Sequence, residues 1–170
     1  MLGWWLDSPP FDRLRWNLES LAWGAVATVP LLLALLWCLR TPWPPVARLV
    51  TLVTEKLAPL FRGASVPELA LLAMLAGVGE EALFRGMLQD ALAGWLPVWL
   101  ALTLGAIGFG VAHWISTAYA VVAGIVGLYL GALYLFADNL LAPIVTHALY
   151  DFVALLVLTR LKPTSPDSVV

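Results

Sequence analysis

The decapeptide GVGEEALFRG, residues Gly77 to Gly86, places two adjacent glutamates and an arginine inside a long apolar stretch. The apolar run PELALLAMLA precedes it, and another apolar segment begins shortly after it. A charged side chain at the centre of a membrane-spanning helix costs about 2.5–3.5 kcal/mol on insertion scales. These three charges must therefore either neutralise one another or serve a function.

The composition is that of an integral membrane protein. Hydrophobic residues make up 62% of the 170 residues and charged residues 12%, and the mean hydropathy is +0.91. A soluble domain is closer to half apolar and a quarter charged. The net charge of −2 gives no signal of nucleic-acid binding, and the single cysteine, Cys38, excludes an intrachain disulfide. The first 20 residues do not have the basic and apolar regions of a cleavable signal peptide.

Five stretches are apolar enough to form spanning helices, which need roughly 20 residues each. They run over about 18–39 (with a kink at Pro30), 67–93, 96–114, 117–137 and 141–160. Residues 46–61 space apolar side chains between charged ones and predict an interfacial amphipathic helix. The predicted fold is an all-α polytopic bundle of about five spans plus this interfacial helix. It divides into residues 1–66, a motif-bearing core at 67–160, and a tail at 161–170.

The distribution of basic residues predicts the orientation of the bundle. Lysine and arginine concentrate between the first two predicted spans and after the fifth, at Arg40, Arg48, Lys56, Arg62, Arg160 and Lys162. The positive-inside rule then places the 40–66 connection and the C-terminus in the cytoplasm. Arg13 and Arg15 would lie outside, against the rule. The sequence suggests a bacterial protein, so the expected location is the bacterial inner membrane.

Two of the three charged residues in GVGEEALFRG can pair with each other, and Glu80 is left over. Glu81 and Arg85 are four residues apart, so they share one face of a helix and can form an ion pair. Glu80 is rotated by about 100° from Glu81 around the helix axis. Arg85 therefore satisfies Glu80 less directly, and Glu80 requires a partner on another helix or a function.

Both histidines of the chain also lie within predicted spans. Phe109 precedes His113 by one turn, and Asp151 follows His147 by one turn. A single intramembrane histidine can be a core residue bonded to a backbone carbonyl, but ionisable groups in spans are functional candidates by default. Together with Glu80, these residues supply a carboxylate base, imidazoles and an orienting carboxylate, which are the parts needed to activate a water molecule.

The number of residues between each group and the nearest turn predicts its depth in the bundle. Glu80 and His113 are each about 16 residues from Pro97, so a hairpin turning there brings them to a similar depth. At 1.5 Å per residue they would lie about 24 Å from that turn, and His147 only about 12 Å from the turn near Asp138. We therefore expect His147 to be shallower than Glu80, unless helix lengths, tilt or a broken helix compensate.

Three motifs in order resemble those of the CPBP family of intramembrane CAAX-type proteases and bacteriocin-processing enzymes, also called Abi proteins. The family pattern is EExxxR, then FxxxH, then HxxxN or HxxxD. The segments EEALFRG, FGVAH and HALYD match it at Glu80, Glu81, Arg85, Phe109, His113, His147 and Asp151. The resemblance covers about residues 67 to 155. It identifies the core at 67–160 as an intramembrane protease core.

The resemblance implies hydrolysis of a peptide bond in a membrane-associated protein or peptide. Glu80 and His113 would hold and deprotonate the attacking water, and His147 and Asp151 would stabilise the oxyanion. Glu81 and Arg85 would form a supporting structural pair. An ionised aspartate cannot donate a hydrogen bond, so Asp151 is expected to orient His147 or to donate only while protonated.

Several alternatives remain at this stage. No cofactor is favoured, but zinc or iron held by Glu80, His113 and His147 is possible, although the HExxH signature is absent. Ser116 could act with His113 as a nucleophile. A non-catalytic scaffold or immunity protein would need no chemistry. A proton-coupled transporter could use Glu80 and Asp151, but no inverted repeat is evident.

The expected partners are the lipid bilayer and a peptide or protein substrate. Prenylated CAAX tails, bacteriocin leaders and membrane peptides all remain open as substrates.

Overall fold

The computed structural model describes residues 9–160, which form helices and contain no β-strand. The helices are α1 (Leu18–Arg40), α2 (Pro44–Leu52), α3 (Ala58–Phe61), α4 (Val66–Glu81), α5 (Asp90–Ala93), α6 (Val98–Ala112), α7 (Thr117–Ala137) and α8 (Leu141–Leu158). Two π-helical segments, Val53–Leu57 and Ala82–Gln89, connect α2 to α3 and α4 to α5. The predicted all-α class is confirmed. The C-terminal tail 161–170, with Lys162, lies outside the described residues.

The helices occupy the positions predicted for the spans. Within residues 9–160, α1, α7 and α8 are each long and apolar enough to cross a membrane, and the bent pair 44–61 and 66–93 can supply a fourth span. Helix α6 has 15 residues and is therefore about 22 Å long, shorter than the roughly 30 Å of a bilayer core. It begins directly after Pro97 and ends just before His113.

The amphipathic segment 44–61 meets the following helix at a sharp angle. The bend between 44–61 and 66–93 is 112°. Gly63 supplies the left-handed backbone conformation for this turn, with φ of 98°. Ser65 and Glu68 then form a capping box, in which the Ser65 backbone N–H donates to Glu68 Oε2 over 2.7 Å. A segment at this angle lies across the end of the bundle, as an interfacial helix would.

Helix α8 lies between α1 and α4 and contacts both closely. A Cβ added at Gly24 would lie 2.7 Å from the Ala142 carbonyl oxygen, and one at Gly77 would lie 3.0 Å from Ala148. Thr146 Oγ1 donates to the Gly24 carbonyl over 2.9 Å. Small residues at these crossings allow the backbones to approach, which is how helices associate where lipid provides no hydrophobic drive.

Helices α6 and α7 form a tight antiparallel pair beside this group. A Cβ added at Gly110 would lie 2.6 Å from the Ala120 carbonyl oxygen, and one at Gly127 would lie 3.1 Å from Phe109. The glycines that the sequence places on both helices therefore serve packing. This close approach holds Phe109 and the end of α6 against the rest of the bundle.

The N-terminal segment is bound to the turn between α7 and α8. Asn139 Oδ1 accepts from the backbone N–H groups of Arg15 (3.0 Å) and Leu141 (3.1 Å), so it joins the N-terminal segment to the first residue of α8. Arg13 and Arg15 form ion pairs with Asp138, at 3.3 and 2.9 Å. Arg13 also pairs with Asp90 at 3.5 Å. The two arginines that depart from the positive-inside pattern therefore have two acidic partners, while the orientation itself stays a prediction.

Candidate active site

The predicted ion pair lies at the end of α4 and is enclosed by protein. Glu81 is completely buried and Arg85 is 2% exposed. Arg85 Nη1 donates to Glu81 Oε1 over 2.6 Å, and Nη2 donates to the Gly127 carbonyl over 2.7 Å. Arg85 therefore neutralises Glu81 and also connects the π-helical segment Ala82–Gln89 to α7. Such π-helical insertions occur frequently at functional sites.

The ring of Phe109 forms the centre of the cluster. It stacks on the His113 ring, with centroids 4.4 Å apart and planes inclined by 25°. Its edge meets the His147 ring at 5.9 Å, and the Arg85 guanidinium carbon lies 4.8 Å from its centroid. Phe109 thus contacts side chains from three different helical segments and restricts the orientation of both imidazoles.

His113 is held by the helix that ends beside it. Its Nδ1 lies 2.8 Å from the Phe109 carbonyl oxygen. A carbonyl can only accept a hydrogen bond, so Nδ1 carries the hydrogen. The other ring nitrogen, Nε2, lies 3.4 Å from Glu80 Oε2.

His147 lies among three carboxylates. Its Nδ1 is 2.7 Å from Glu81 Oε1, while its Nε2 is 3.9 Å from Glu80 Oε2 and 3.4 Å from Asp151 Oδ2. An ionised carboxylate can only accept, so the Glu81 contact assigns a hydrogen to Nδ1. The Nε2 atoms of both histidines consequently face the same oxygen of Glu80.

The expected depth of His147 is wrong, because His147 contacts both Glu80 and Glu81. Tyr134 Oη donates to Asp90 Oδ2 over 2.5 Å, and α7 ends only one turn later. The turn before α8 therefore lies near the level of Asp90 rather than that of Pro97. In addition, residues 82–89 are π-helical and contain more residues per turn than an α-helix, which shortens the distance from Asp90 to Glu80.

Two carboxylate oxygens of this cluster, Glu80 Oε2 and Glu81 Oε2, are buried and have no hydrogen-bond partner among residues 9–160. Glu80 Oε2 is the one that both histidine Nε2 atoms face. A buried polar atom without a partner is costly and calls for an explanation. Its position between two imidazole nitrogens is one in which a water molecule would find an acceptor and two further polar partners.

A cavity of about 150 Å³ adjoins the cluster, and His113, His147 and Asp151 contribute to its wall. The remaining wall is mostly apolar and includes Tyr119 and Tyr150. A larger cavity of about 280 Å³ lies near Arg15 and contains none of the motif residues. Of these two cavities, the smaller one adjoins the cluster.

One feature of the cluster argues against a metal site, and another argues for one. Within residues 9–160, no three His, Cys, Asp or Glu side chains converge as they would around a bound metal. However, zinc-binding histidines usually donate their other ring N–H to a carboxylate or a backbone carbonyl, and both histidines here do so. Glu80, His113 and His147 are therefore the set that would have to draw together around zinc.

Two features of this site could not be read from the sequence. The contact between Glu81 and His147 joins positions 66 residues apart, and no local spacing predicts it. Tyr119 and Tyr150 line the cavity but belong to none of the motifs. Ser116, considered above as a nucleophile, is the N-cap of α7, and its Oγ accepts from the Tyr119 backbone N–H over 3.2 Å. This capping role accounts for a serine at that position.

Comparison with protein families gives a match that covers the whole cluster. A family model described as type II CAAX prenyl endopeptidase Rce1-like matches residues 62–153. The matched region contains all three sequence motifs and extends from the turn before α4 into α8. No curated protein and no solved structure gives a significant match.

Proposed function

The chain belongs to the Rce1-like family of type II CAAX prenyl endopeptidases, and from this premise we propose that it hydrolyses peptide bonds of membrane-associated substrates through a water activated by Glu80. Membership of the family and several apolar helices together make it a membrane protease in general terms. The observation that carries the finer proposal is the convergence of His113 Nε2 and His147 Nε2 on Glu80 Oε2, at 3.4 and 3.9 Å.

Glu80 is the base in this proposal. Its Oε2 accepts a proton from the water, and the resulting hydroxide attacks the carbonyl carbon of the scissile bond. His113 carries its hydrogen on Nδ1, so its Nε2 lone pair accepts the second water hydrogen and directs the attack. The stacking of His113 on Phe109 keeps this lone pair aimed at the water.

His147 and Asp151 act on the carbonyl oxygen. The tetrahedral intermediate carries a negative charge on this oxygen, and a donor that is already in place stabilises the charge. His147 donates from Nε2 as a doubly protonated imidazolium, with its Nδ1–H held by Glu81. Asp151 lies on the Nε2 side of the same ring, 3.4 Å from Nε2, and donates a second hydrogen bond to this oxygen while its carboxyl is protonated. The proton on Glu80 then passes to the leaving amine, and the peptide bond breaks.

Two features favour the metal-free form of this mechanism over zinc. The carboxylate of Glu80 faces the histidine nitrogens directly, and the side chains do not converge on a common point at metal-binding distances. A zinc ion, if bound by Glu80, His113 and His147, would polarise the carbonyl or acidify the water. Chelation and metal analysis of the purified protein distinguish the two forms.

The direct test is Glu80→Gln, assayed in phosphatidylcholine vesicles. Wild-type protein is first screened against a library of internally quenched peptides, including prenylated peptides with a CAAX end. The variant keeps the volume of the side chain and removes its basicity, so we expect a rate loss of about 10²–10⁴ with unchanged thermal stability. Equal cleavage by both proteins would refute the role of Glu80. No cleavage of any peptide by wild type would favour the scaffold alternative.

A further inference from the structure

The cavity of about 280 Å³ near Arg15 lies at one end of the bundle. Its wall is formed by the N-terminal segment, the first turns of α1, the last residues of α7 and the turn before α8. Because α1 and α7 are each long and apolar enough to cross a membrane, the end at which α1 begins and α7 finishes lies at a membrane surface. Lipid headgroups occupy that level. The cavity is therefore placed to receive a headgroup.

Two polar side chains of the cavity wall have bonding capacity that the protein does not use. Ser20 is 4% exposed, and its Oγ accepts from Asn139 Nδ2 over 2.8 Å. The hydroxyl hydrogen of Ser20 has no acceptor in the described part of the chain, and a buried donor without an acceptor is costly. Glu19 is exposed and has no ion-pair partner among residues 9–160. A ligand in the cavity therefore finds a donor at Ser20 and a carboxylate at Glu19.

The charges of the wall favour a ligand that carries both an anionic and a cationic group. Arg15, Glu19 and Asp138 are its charged residues, so carboxylates outnumber cations. Arg15 Nη2 donates to the Oδ2 atom and the carbonyl oxygen of Asp138, over 2.9 and 2.6 Å. The Nε and Nη1 atoms of Arg15 have no acceptor within residues 9–160 and can donate to an anion. An anion at Arg15 leaves Glu19 to bind a cation, so a zwitterion satisfies both residues.

Two aromatic rings form the apolar side of the cavity. Trp23 and Phe136 pack edge to face, with ring centroids 5.0 Å apart, and they are 40% and 67% exposed. Tryptophan is enriched at the level where headgroups meet acyl chains, because its ring is apolar and its N–H is polar. The ligand that matches this wall therefore carries an apolar tail next to its zwitterionic group.

We propose that this cavity binds the headgroup of a phospholipid that carries a primary ammonium group, as phosphatidylethanolamine does. The phosphate accepts hydrogen bonds from Arg15 and Ser20, the ammonium pairs with Glu19, and the acyl chains lie along the two aromatic rings. A cavity of roughly 150 Å³ holds benzene, and this one is about twice as large, which leaves room for phosphate and ammonium together. No motif residue lines this cavity, so lipid binding here does not depend on peptide hydrolysis.

Other common headgroups satisfy this wall less well. A glycerol headgroup offers no cation to Glu19, and a choline headgroup has no N–H to donate to the carboxylate. A bound ethanolamine lipid connects the start of α1 to the turn before α8. Because it binds the folded protein and not the unfolded chain, it also stabilises the fold.

The test measures how strongly three lipids with the same dioleoyl chains bind to the delipidated full chain in detergent, by native mass spectrometry. We expect wild type to retain the ethanolamine lipid about fivefold more than the choline or glycerol lipid, the effect of one exposed ion pair. Glu19→Gln keeps the volume of the side chain and should reduce this preference to less than about twofold. Glu55→Gln is the matched control, because Glu55 is an exposed glutamate that does not line the cavity, and it should keep the full preference.

Two further measurements separate the parts of the ligand. Ser20→Ala removes a donor to the phosphate, which all three lipids share, so retention of all three should fall together by about fivefold. Soluble O-phosphoethanolamine has the headgroup without acyl chains. It should neither displace the bound lipid nor raise the melting temperature, whereas the dioleoyl ethanolamine lipid should raise it.

Four results would overturn the headgroup site. Equal retention of the three lipids by wild type would show that the ammonium is not recognised, and an unchanged preference in Glu19→Gln would place the lipid elsewhere on the bundle. A loss confined to the ethanolamine lipid in Ser20→Ala would contradict the phosphate contact. Stabilisation by O-phosphoethanolamine equal to that by the lipid would indicate a site for a soluble zwitterion instead. Glu19 is exposed, so Glu19→Gln should fold, and thermal unfolding without lipid checks this.

Discussion

His147 Nδ1 lies 2.7 Å from Glu81 Oε1, so the glutamate next to the proposed base holds the histidine of the third motif. Glu81 Oε1 also accepts from Arg85 over 2.6 Å. The three side chains form a buried chain in which the arginine neutralises the glutamate and the glutamate orients the imidazole. The sequence predicted that Asp151 would orient His147 or donate a hydrogen bond while protonated. Glu81 occupies the Nδ1 side of the ring, and Asp151 Oδ2 lies 3.4 Å from Nε2.

This arrangement gives Asp151 a role on the cavity side of the ring. Asp151→Asn keeps the shape of the side chain and supplies an N–H donor, so activity should stay within about tenfold of wild type, the effect of one ordinary hydrogen bond. Asp151→Leu removes all polar function and should cost about 10²–10³ in kcat, as loss of an oxyanion group does. Steady-state kinetics on an internally quenched peptide that wild type cleaves measure both values.

Two outcomes would contradict this role for Asp151. If Asp151→Asn were as inactive as Asp151→Leu, the negative charge would be required, and Asp151 would act by balancing His147 alone. If Asp151→Leu kept full activity, Asp151 would have no part in the reaction. Thermal unfolding of wild type and both variants in one detergent checks that each variant is folded.

Arg85→Ala should destabilise the fold rather than act on chemistry alone. It leaves Glu81 buried without its cation, and breaking one partner of a buried ion pair costs about 3–5 kcal/mol. The variant should therefore give a low yield and a lower melting temperature in detergent, which size-exclusion chromatography after heating measures. Arg48→Ala is the control, because Arg48 is exposed and donates to the Pro44 carbonyl of its own helix. Normal accumulation and stability of Arg85→Ala would show that the ion pair is dispensable.

The glycines between α6 and α7 allow a prediction about packing. A Cβ at Gly110 would lie 2.6 Å from the Ala120 carbonyl oxygen, whereas one at Gly124 would meet its nearest atom at 3.5 Å. Gly110→Ala forces two backbones apart and should lower stability by about 1–3 kcal/mol. Gly124→Ala makes ordinary contacts and should be neutral or stabilising by up to about 1 kcal/mol. Thermal unfolding in detergent compares them, and equal melting temperatures would contradict the close approach at Gly110.

Local spacing in the sequence was enough to predict the helices and one contact in the site. Apolar runs and Pro97 placed the spans, and the four-residue interval between Glu81 and Arg85 predicted their pairing. The ordered motifs identified the family, and the family match at residues 62–153 confirms that assignment. Each of these signals lies within one helix or in the order of segments along the chain.

Relations between helices were not accessible in the same way. The depth of His147 in the bundle relative to Glu80 depends on the depth of the α7–α8 turn. A tertiary hydrogen bond from Tyr134 to Asp90 shows that this turn lies at about the depth of Asp90. The π-helical geometry of residues 82–89 has no signature in ALFRGMLQ that we can identify. Counting residues at a uniform α-helical rise therefore placed His147 too shallow.

Metal dependence separates two mechanisms that use the same residues. Zinc on Glu80, His113 and His147 would require neutral imidazoles and would release protons on binding, so its affinity would depend on pH. The glutamate-activated water requires instead an ionised Glu80, a hydrogen bond from the water to His113, and a His147 that carries hydrogens on both ring nitrogens. We expect a membrane-permeant chelator to leave cleavage unchanged, and added zinc to give no gain.

Substitution of His113 gives a second test that distinguishes the metal-free mechanism from the zinc mechanism. In the metal-free mechanism His113→Gln still offers an acceptor oxygen to the water and should lose less activity than His113→Ala, which should lose about 10²–10⁴. A zinc site would tolerate neither change, and both variants would purify with less metal than wild type. Metal analysis of protein prepared without added zinc or iron provides a readout independent of turnover. Stoichiometric metal in wild type, its loss in His113→Ala, and cleavage that stops with chelator and returns with zinc would together establish the metal mechanism instead.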